Sequence, residues 1–413
     1  MIKYLLKAGA VFALVWAAGC TQEDKDDSTP VEKGRGRVVS AELSASYSRT
    51  AVDSLLSLET GGLANAFVNV RYGVDVYTVV YETIDGRGKE TRASGLALMP
   101  KGQTRPAALA SYQHGTINKR DEVPSRRLNG GEFVIGLIMA AEGYVSAMPD
   151  YLGLGYGPGM HPYCHAKSEA TAVIDMLRAV KSIAGQKNIA LNGKLFLFGY
   201  SQGGHATMAA HKYIETEYAD EFTVTASAPM SGPYDLNDEQ AQYIIKDEDY
   251  PDPSYLPYVV FGFRAVYPEL MENPKDFFKA EYAEKLPELF NGEYNSGYIN
   301  RHIPTVPNQM MRPDALKLFK DDVNSSVFPF RMRLRESNTY LGWAPKAPMK
   351  LLYCKGDRSV SWRNAKIAAE YFHAAGATQV DTMDVSFAPN TDHVECALPA
   401  LLEAKTFFEG FKP

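Results

Sequence analysis

The chain alternates between short apolar runs that are typical of strands and longer segments whose apolar residues recur at helical spacing. The predicted strands cover residues 74–81, 93–99, 107–112, 144–148, 194–198, 224–230, 349–353 and 380–387. The predicted helices begin near residues 168, 205, 361 and 394, with Ser168 as the N-cap of the first. Because strands and helices alternate, we predict an α/β fold with a mostly parallel sheet covered by helices on both faces. Turn residues at 84–88 make the first two strands an antiparallel hairpin at one edge.

One segment interrupts this alternation. Residues 237–345 separate two predicted core strands by 109 residues, far more than a crossover connection needs. They contain 18 of the 47 aromatic residues, which is more than an even share. We therefore predict a mainly helical cap inserted between two parts of the core, residues 47–236 and 346–413. Ligands of open α/β sheets bind outside the carboxyl ends of the strands, where such a cap would wall the pocket. A peripheral insertion without a role in the site is the alternative.

Composition narrows the class of protein. The 413 residues are 45% hydrophobic and 22% charged, which is typical of a globular protein and excludes a disordered chain. The net charge of −6 gives no basic surface for nucleic acid. Four cysteines without CxxC spacing are too few for a disulfide scaffold and do not indicate a structural zinc site.

The first residues are typical of an export signal. Lys3 and Lys7 precede an uncharged run at 8–18, which is shorter than a membrane-spanning helix requires. The sequence AAGC at 17–20 resembles the lipobox of bacterial lipoproteins, in which cleavage leaves Cys20 as a lipidated N-terminus. A signal peptide that is cut without lipidation is the alternative.

We accordingly divide the N-terminal region into a signal peptide over 1–19 and a lipidated tether over 20–46. The tether is polar and lacks apolar periodicity, as expected of a flexible linker. This organisation predicts a protein of the bacterial cell envelope, anchored at the outer membrane or the cell surface. Without the lipid, the protein would be secreted or periplasmic.

Residues 199–203 have the sequence GYSQG, which matches the G-x-S-x-G turn that presents a nucleophilic serine. An apolar strand (LFLF) precedes the turn and a helix of small residues (HATMAA) follows it. The glycines relieve steric crowding, so that Ser201 projects above the sheet. The N–H of Gln202 and the positive end of the helix would then face a developing oxyanion. An incidental serine in a glycine-rich turn is the alternative.

A serine hydroxyl needs a general base, which in this arrangement follows the nucleophile and the acid along the chain. Five of the eight histidines come after Ser201. Four of these belong to predicted helices or to the cap, namely His205, His211, His302 and His373. The fifth, His393, lies in a loop between the last strand and the last helix, and is the candidate base.

The acid should follow the strand before the last one. Asp357 comes directly after the predicted strand 349–353 and would hold the His393 ring in the required tautomer. Asp235, which follows the strand before that, is the alternative acid. Asp392 is adjacent to His393 and is expected to cap the last helix.

The loop after the strand at 107–112 should supply the second oxyanion donor. This loop has the sequence QHGT at 113–116, and we predict that the backbone N–H of Thr116 acts beside that of Gln202. His114 is an alternative base, which we interpret instead as a residue that supports the loop.

Two further histidines raise the question of a metal site. His161 and His165, in the sequence HPYCH, could be joined by Asp150. No third and fourth ligands accompany them at suitable spacing, so we predict that no metal is bound.

With these motifs in place, the sequence resembles the α/β-hydrolases, and among them the secretory lipases of the lipase A type. The resemblance covers residues 47–413 and is carried by GYSQGG at 199–204, QHGT at 113–116, PDYLGLG at 149–155, HPYxHAxSEA at 161–170, GD at 356–357 and DH at 392–393. The first of these motifs is common to many hydrolases, whereas its combination with QHGT and PDYLGLG is more specific.

The resemblance implies an α/β-hydrolase fold with an inserted cap and hydrolysis of carboxylic esters without a cofactor. Ser201, Asp357 and His393 would form the catalytic triad and act through an acyl-enzyme on a small-molecule or lipid ester. The anchor departs from secreted fungal members and implies a bacterial relative that contacts the membrane through its lipid only.

Two other functions remain open from the sequence. A serine peptidase of the prolyl-oligopeptidase type shares the order of the three residues, but it usually carries a propeller domain, and no such repeat is present. A non-catalytic lipoprotein could use the pocket to bind a ligand, although binding would not require all three groups.

If Cys20 is lipidated, three cysteines remain and at most one intramolecular disulfide can form. Cys354 lies at a predicted core strand, where a buried thiol is expected. Cys164 and Cys396 both lie in loop-to-helix segments near the expected site, and we hypothesise that they pair.

Overall fold

A computed structural model describes residues 34–62, 67–321 and 329–411. Nine strands in these residues are β1 Val38–Tyr47, β2 Val74–Ile84, β3 Glu90–Pro100, β4 Ala107–Gln113, β5 Val145–Pro149, β6 Leu191–Tyr200, β7 Val224–Met230, β8 Met349–Tyr353 and β9 Val380–Asp384. They form one sheet in the order β1-β2-β3-β5-β4-β6-β7-β8-β9. The pairs from β1 to β5 are antiparallel and the pairs from β5 to β9 are parallel. The predicted mostly parallel sheet with an antiparallel edge is thus confirmed.

Helices cover both faces of this sheet. The described α-helices are α1 Arg49–Glu59, α2 Gly131–Ala141, α3 Ala166–Gln186, α4 Gln202–Glu217, α5 Glu239–Ile244, α6 Tyr255–Val266, α7 Ala280–Leu289, α8 Ser296–Asn300, α9 Pro313–Asp321, α10 Pro329–Glu336, α11 Arg363–Ala374 and α12 His393–Glu409. Helices α1, α2 and α12 pack in one apolar cluster, which includes Phe133 and Phe408. Helices α3 and α4 pack in another, which includes Leu177 and Ile214. The central strand β6 is consequently buried on both sides over residues 195–200.

The insert between β7 and β8 contains helices α5 to α10, which confirms the predicted mainly helical cap. Its interior is an apolar cluster rich in aromatic side chains, among them Phe261, Phe263, Phe277, Phe278 and Phe330. Large rings supply much of the buried area that such short helices need. Tyr163 and Cys164, which precede α3, belong to the same cluster and tie the cap to the core.

The predicted tether over 20–46 is wrong for its last part, because Val38–Tyr47 forms β1 and pairs with β2. Most β1 side chains are exposed or half-buried, and Leu43 is 56% exposed. The segment therefore lacks the apolar alternation that marks other strands, and its backbone hydrogen bonds define it instead. Just before β1, the buried Arg35 donates to Asp175 of α3 at 3.1 Å. The folded core accordingly starts before residue 38.

The predicted N-cap of α3 is also wrong. The helix begins at Ala166, and His165 is the N-cap, with its Nδ1 accepting the N–H of Ser168 at 3.3 Å. The Ser168 hydroxyl lies 2.7 Å from the same nitrogen. Histidine is not among the preferred capping residues, so the sequence pattern favoured the serine.

The predicted signal peptide and lipobox, including Cys20, lie outside the described residues. Their assignment stays a prediction. In the part of the chain that the structure describes, none of the helices combines the length and apolar character needed to cross a membrane.

The hypothesis that Cys164 pairs with Cys396 is wrong, as is the expectation that Cys354 is a thiol. Cys354 and Cys396 form a disulfide, with their Cα atoms 5.9 Å apart, and Cys164 is a buried free thiol. Cys354 directly follows β8 and Cys396 lies in the first turn of α12, two elements that pack together. The disulfide thus joins the segment that carries Asp357 to the helix that begins at His393.

Candidate active site

Strand β6 passes into helix α4 through a strained turn at 199–203. Ser201 has φ 60° and ψ −121°, a conformation that a residue with a side chain adopts only where its surroundings enforce it. A Cβ at Gly203 would overlap the carbonyl oxygen of Gln113, and a Cβ at Gly199 would overlap the backbone of the same turn. The close approach of β4 therefore requires both glycines, which is the physical reason for the motif.

Ser201 begins a chain of hydrogen bonds that ends at Asp357. The Ser201 Oγ lies 2.8 Å from Nε2 of His393, and Nδ1 of His393 lies 2.6 Å from Oδ2 of Asp357. Oδ1 of Asp357 accepts the N–H groups of Ser359 and Val360, each at 2.8 Å. The carboxylate is thereby held in place and accepts the Nδ1–H of His393, which leaves Nε2 available for the serine proton.

The environment of His393 adjusts its affinity for a proton. Burial lowers the pKa of His393, but the charge of Asp357 and its hydrogen bond outweigh burial, so the pKa is raised above its ordinary value. The charges of Asp252 and Asp392 act in the same direction. The Tyr200 hydroxyl donates to the carbonyl oxygen of His393 at 2.5 Å, which fixes the start of α12 against β6. The site therefore favours the imidazolium that forms when the ring accepts a proton.

The start of α4 and the loop after β4 both lie beside Ser201. Gln202 is the first residue of α4, so its N–H has no acceptor one turn earlier and lies at the positive end of the helix dipole. A Cβ built on Gly115 would lie 4.0 Å from the Cβ of Ser201, which places the loop after β4 against the turn. Thr116 follows in this loop, and its hydroxyl lies 2.8 Å from that of Tyr163. The structure thus places Gln202 and the loop that carries Thr116 beside Ser201, and the role of their N–H groups as oxyanion donors stays a prediction.

The loop after β4 is held by hydrogen bonds to the side chains of Glu132 and His114. Oε1 of Glu132 accepts the N–H of Gly115 at 3.3 Å, and Oε2 accepts the Tyr112 hydroxyl at 2.6 Å. The His114 ring nitrogens lie 2.7 Å from the carbonyl oxygen of Gly115 and 3.3 Å from that of Asp150. These contacts agree with a supporting role for His114 in the loop.

An apolar cavity of about 50 Å³ lies between Ser201 and the cap. Its cap wall includes Leu236, Ile244, Leu256, Val259, Phe319 and Leu334. Tyr163 and Cys164 line it from the core side. A small cavity with apolar walls beside Ser201 suits an uncharged, apolar group on a bound ligand.

The alternative acid, Asp235, has other partners. Oδ1 of Asp235 accepts the N–H of Asp238 at 3.0 Å and Nδ2–H of Asn338 at 2.9 Å, and Oδ2 accepts the Tyr340 hydroxyl at 3.2 Å. These bonds join the two ends of the cap, since Asp235 precedes α5 and Asn338 follows α10. Asp392 caps α12 through two N–H groups of its first turn, as its position in the sequence indicates.

The residues that raised the question of a metal site have separate partners. The His161 ring lies 2.8 Å from the carbonyl oxygen of Leu152 through Nδ1, and His165 caps α3. Asp150 accepts the Ser94 hydroxyl at 2.6 Å. Burial lowers the pKa of both histidines to about 3, so their rings are neutral at neutral pH.

Another buried group includes Cys164, which lines the same cavity as Ser201. Cys164, Glu169 and His205 each place one potential ligand atom within 4.8 Å of the others. Oε2 of Glu169 and Nδ1 of His205 are bonded directly at 2.6 Å. Glu169 also accepts a hydrogen bond from Gln202, so Glu169 and His205 belong to a buried hydrogen-bond network.

Sequence reasoning missed Glu169 and His205. A glutamate in the first turn of a helix is ordinarily explained by the helix dipole, and the sequence predicts that the His205 side chain points away from the N-terminus of α4. The small residues around His205 were the available signal, because they predict a buried ring that needs hydrogen-bond partners.

Comparisons with known proteins find lipases and esterases that share this fold. The family model described as secretory lipase matches residues 132–403. A Legionella pneumophila protein assigned as a hydrolase is 30% identical, with a TM-score of 0.81, over 91% of this chain and 98% of that one. The rice cell wall degrading esterase LipA from Xanthomonas oryzae is 28% identical, with a TM-score of 0.82, over 92% and 100%. The closed state of Candida antarctica lipase A, at 17% identity, a TM-score of 0.67 and coverage of 92% and 83%, shares the fold. No curated protein sequence matches the chain.

The family match runs from α2 into α12 and includes Ser201, Asp357 and His393. In the described residues, the sheet and helices leave no segment that forms a propeller domain of the prolyl-oligopeptidase type. The nine-stranded sheet with its inserted cap is an α/β-hydrolase fold. The chain is a carboxylic ester hydrolase that belongs to the secretory lipase family.

Proposed function

We propose that the chain cleaves esters in two steps, through an acyl-enzyme formed on Ser201. The observation that supports this proposal is the chain of hydrogen bonds from Ser201 through His393 to Asp357, with distances of 2.8 and 2.6 Å. These hydrogen bonds begin at a helix N-terminus and beside an apolar cavity. A nucleophile, a base and a place for the substrate therefore lie together.

In the first step, Nε2 of His393 accepts the Ser201 proton while Oγ attacks the ester carbonyl carbon. The N–H groups of Gln202 and Thr116 stabilise the oxyanion, and the Asp357 carboxylate stabilises the imidazolium. The bond to the alcohol oxygen then breaks as His393 returns the proton to it. In the second step, His393 activates water, which attacks the acyl carbon, releases the carboxylic acid and restores the serine.

The cavity beside Ser201 is proposed to hold the acyl group. Its volume of about 50 Å³ is a third of the ~150 Å³ of an engineered apolar cavity that binds benzene. We therefore propose short acyl chains of a few carbons as the preferred substrates. Such a chain would contact Leu256 and Val259 of α6.

We also propose that the protein is exported and anchored through a lipid on Cys20. The supporting observation is the short apolar run followed by AAGC at 17–20. Mass spectrometry of the mature N-terminus should show a diacylglyceryl cysteine, and an unmodified N-terminus at another residue would contradict the anchor.

Substitution of the nucleophile tests the proposed mechanism. Ser201→Ala should reduce p-nitrophenyl ester turnover by about 10⁴-fold or more, and a fluorophosphonate probe should label wild-type protein but not this variant. Ser227→Ala is the matched control, because its hydroxyl is also buried and bonded to a histidine, His211, at 2.8 Å. Undiminished turnover by Ser201→Ala would overturn the mechanism, and a wild-type protein that resists the probe would indicate a binding protein.

A further inference from the structure

A buried network holds the side chain of Gln202, the residue that follows the nucleophile. Its Nε2 lies 2.8 Å from Oε1 of Glu169 and 2.7 Å from Nε2 of His161. Oε2 of Glu169 lies 2.6 Å from Nδ1 of His205, and Nε2 of His205 lies 2.9 Å from the carbonyl oxygen of Ser337. The four side chains of this network are at most 2% exposed. Bulk water therefore does not compete for these hydrogen bonds.

The partners of the two histidines determine where the protons lie. Nδ1 of His161 faces the carbonyl oxygen of Leu152, so it carries the proton of this neutral ring, and Nε2 accepts from Gln202. His205 faces an acceptor at each nitrogen, the carbonyl oxygen on one side and Glu169 on the other. Glu169 and His205 thus share a proton, as carboxylate with imidazolium or as carboxylic acid with neutral ring. In both forms the pair carries no net charge.

The neutrality of this pair matters because of its position. Gln202 supplies the N–H that is proposed to stabilise the oxyanion. A lone buried carboxylate in contact with the same residue would repel the negative charge that develops on the substrate oxygen, with little screening by solvent. His205 removes this repulsion, while Glu169 still accepts a hydrogen bond from Gln202.

The network also fixes the backbone at the start of α4. The amide nitrogen of Gln202 has two hydrogens and faces two acceptors, while its Oε1 is buried without a hydrogen-bond partner in the described residues. The two bonds through the nitrogen therefore fix the orientation of the side chain. Glu169 belongs to the first turn of α3, and Ser337 directly follows α10. The nucleophile helix is thereby bonded to a core helix and to the end of the cap.

We propose that Glu169 and His205 are positioning residues for ester cleavage, which act as a neutral pair by holding Gln202 with its N–H directed at the oxyanion. The proposal rests on the proposed function, since it concerns an N–H group assigned there as a donor. Neither side chain contacts the nucleophile, so both act through Gln202.

Substitutions at Glu169 and Gln202 test the proposal. Glu169→Ala should lower kcat by about 10- to 100-fold with KM within about threefold of wild type, somewhat less than the loss of an oxyanion donor. Glu169→Gln should retain most of kcat, because its amide can accept from Gln202 and donate to a neutral His205. Gln202→Ala should match Glu169→Ala, and the double variant should lose no more than the larger single loss, as expected for residues that act through one another.

A thiono ester provides a readout that a purely structural role would not change. Sulfur accepts hydrogen bonds weakly, so wild-type protein should cleave an oxo ester much faster than the matching thiono ester. Glu169→Ala should shrink this ratio because its oxyanion donor is displaced. Asp175→Asn is the matched control, since Asp175 is a buried acid of the same helix that pairs with Arg35 at 3.1 Å. Asp175→Asn should lower the free energy of unfolding. It should leave unchanged both kcat, counted per Ser201 that the fluorophosphonate probe labels, and the ratio of oxo ester to thiono ester cleavage.

The outcomes separate this proposal from the proposed function. Fluorophosphonate labelling of Ser201 in the wild type tests the acyl-enzyme mechanism, and its failure would remove both. If labelling succeeds but Glu169→Ala keeps the wild-type kcat and ratio, only the positioning role is overturned. Should Glu169→Ala fail to fold, Gln202→Ala decides in the same way, since it leaves the Glu169–His205 pair intact. An equal loss in Glu169→Gln and Glu169→Ala would contradict the neutral-pair account.

Discussion

Ser201 and Ser227 each begin a chain of hydrogen bonds that runs through a histidine to a carboxylate. In the second chain, the Ser227 hydroxyl lies 2.8 Å from Nδ1 of His211, and Nε2 of His211 lies 2.9 Å from Oε1 of Glu215. All these residues are buried except Glu215, which is half-buried. The distances are similar to those of the Ser201 chain, which are 2.8 and 2.6 Å. By residue type and hydrogen bonding alone, the two are hard to tell apart.

Their surroundings differ. Ser227 lies within the regular strand β7 and does not line the cavity beside the cap. Glu215 also accepts the N–H groups of Lys346 and Ala347, at 2.8 and 2.9 Å, which ties α4 to the segment before β8. Ser201 instead lies on a strained turn at a helix N-terminus, beside the cavity. This difference supports the proposal that Ser201 is the nucleophile, since the turn, the helix N-terminus and the cavity occur at Ser201 and not at Ser227.

The two carboxylates give the largest expected contrast. Asp357→Asn should lower kcat by about 10⁴-fold, because the amide favours the wrong tautomer of His393 and cannot stabilise its charge. Glu215→Gln should leave kcat unchanged and lower the free energy of unfolding by roughly 1–3 kcal/mol, as backbone donors lose a charged acceptor. Steady-state kinetics and denaturant unfolding measure the two effects.

Asp235→Asn serves as the third arm of this experiment. Asp235 accepts hydrogen bonds from both ends of the cap, so its loss should affect stability more than catalysis. A 10⁴-fold loss in Asp235→Asn, with an active Asp357→Asn, would show that the acid has been assigned to the wrong residue. A comparable loss in Glu215→Gln would remove the distinction between the two chains.

The hydrogen-bond chain from Ser201 through His393 to Asp357 could be predicted from the sequence, because each of its residues follows from local rules. The glycines around Ser201 reflect the contact with β4, and Asp357 and His393 come after consecutive strands near the end of the chain. Strand bounds were recovered well where burial on both faces gives apolar runs, as at Val224–Met230 and Met349–Tyr353.

Features that depend on contacts across the fold were not predictable in this way. Strand β1 has mostly exposed side chains, so its pairing with β2 leaves little trace in the hydrophobic pattern. The disulfide joins Cys354 to Cys396 across 42 residues, and only the packing of α12 on β8 brings them together. The bond between Glu169 and His205 likewise requires that α3 and α4 lie side by side.

The cavity provides a second contrast, since Ser201 lines it and Ser227 does not. Leu256→Ala should enlarge this cavity and shift the preference between hexanoate and acetate p-nitrophenyl esters toward the longer chain by about 10-fold in kcat/KM. Leu289→Ala is the matched control, because Leu289 is buried in the same apolar cluster but does not line the cavity. Both variants should lose about 2–5 kcal/mol of stability, whereas only the first should change chain-length preference. An equal shift in both would indicate a general loosening of the cap.

The smallest expected effect is a shift in the pH dependence of activity, which tests how Asp357 acts on His393. The ring must be neutral to accept the serine proton, so kcat/KM should rise with pH through the pKa of His393, which Asp357 raises above the ordinary value of about 6.5. The residual activity of Asp357→Asn should show this rise at lower pH than wild type, while Leu256→Ala should leave the rise in place.

The same pair affects stability. Because the folded-state pKa of His393 is raised, the stabilisation that its contact with Asp357 provides is fully present below the unfolded-state pKa and is lost as the pH rises through the folded-state pKa. Asp357→Asn should therefore cost more unfolding free energy at about pH 6 than at about pH 9. If the rise of kcat/KM with pH stays at the wild-type position in Asp357→Asn, a group other than His393 controls the pH dependence of activity.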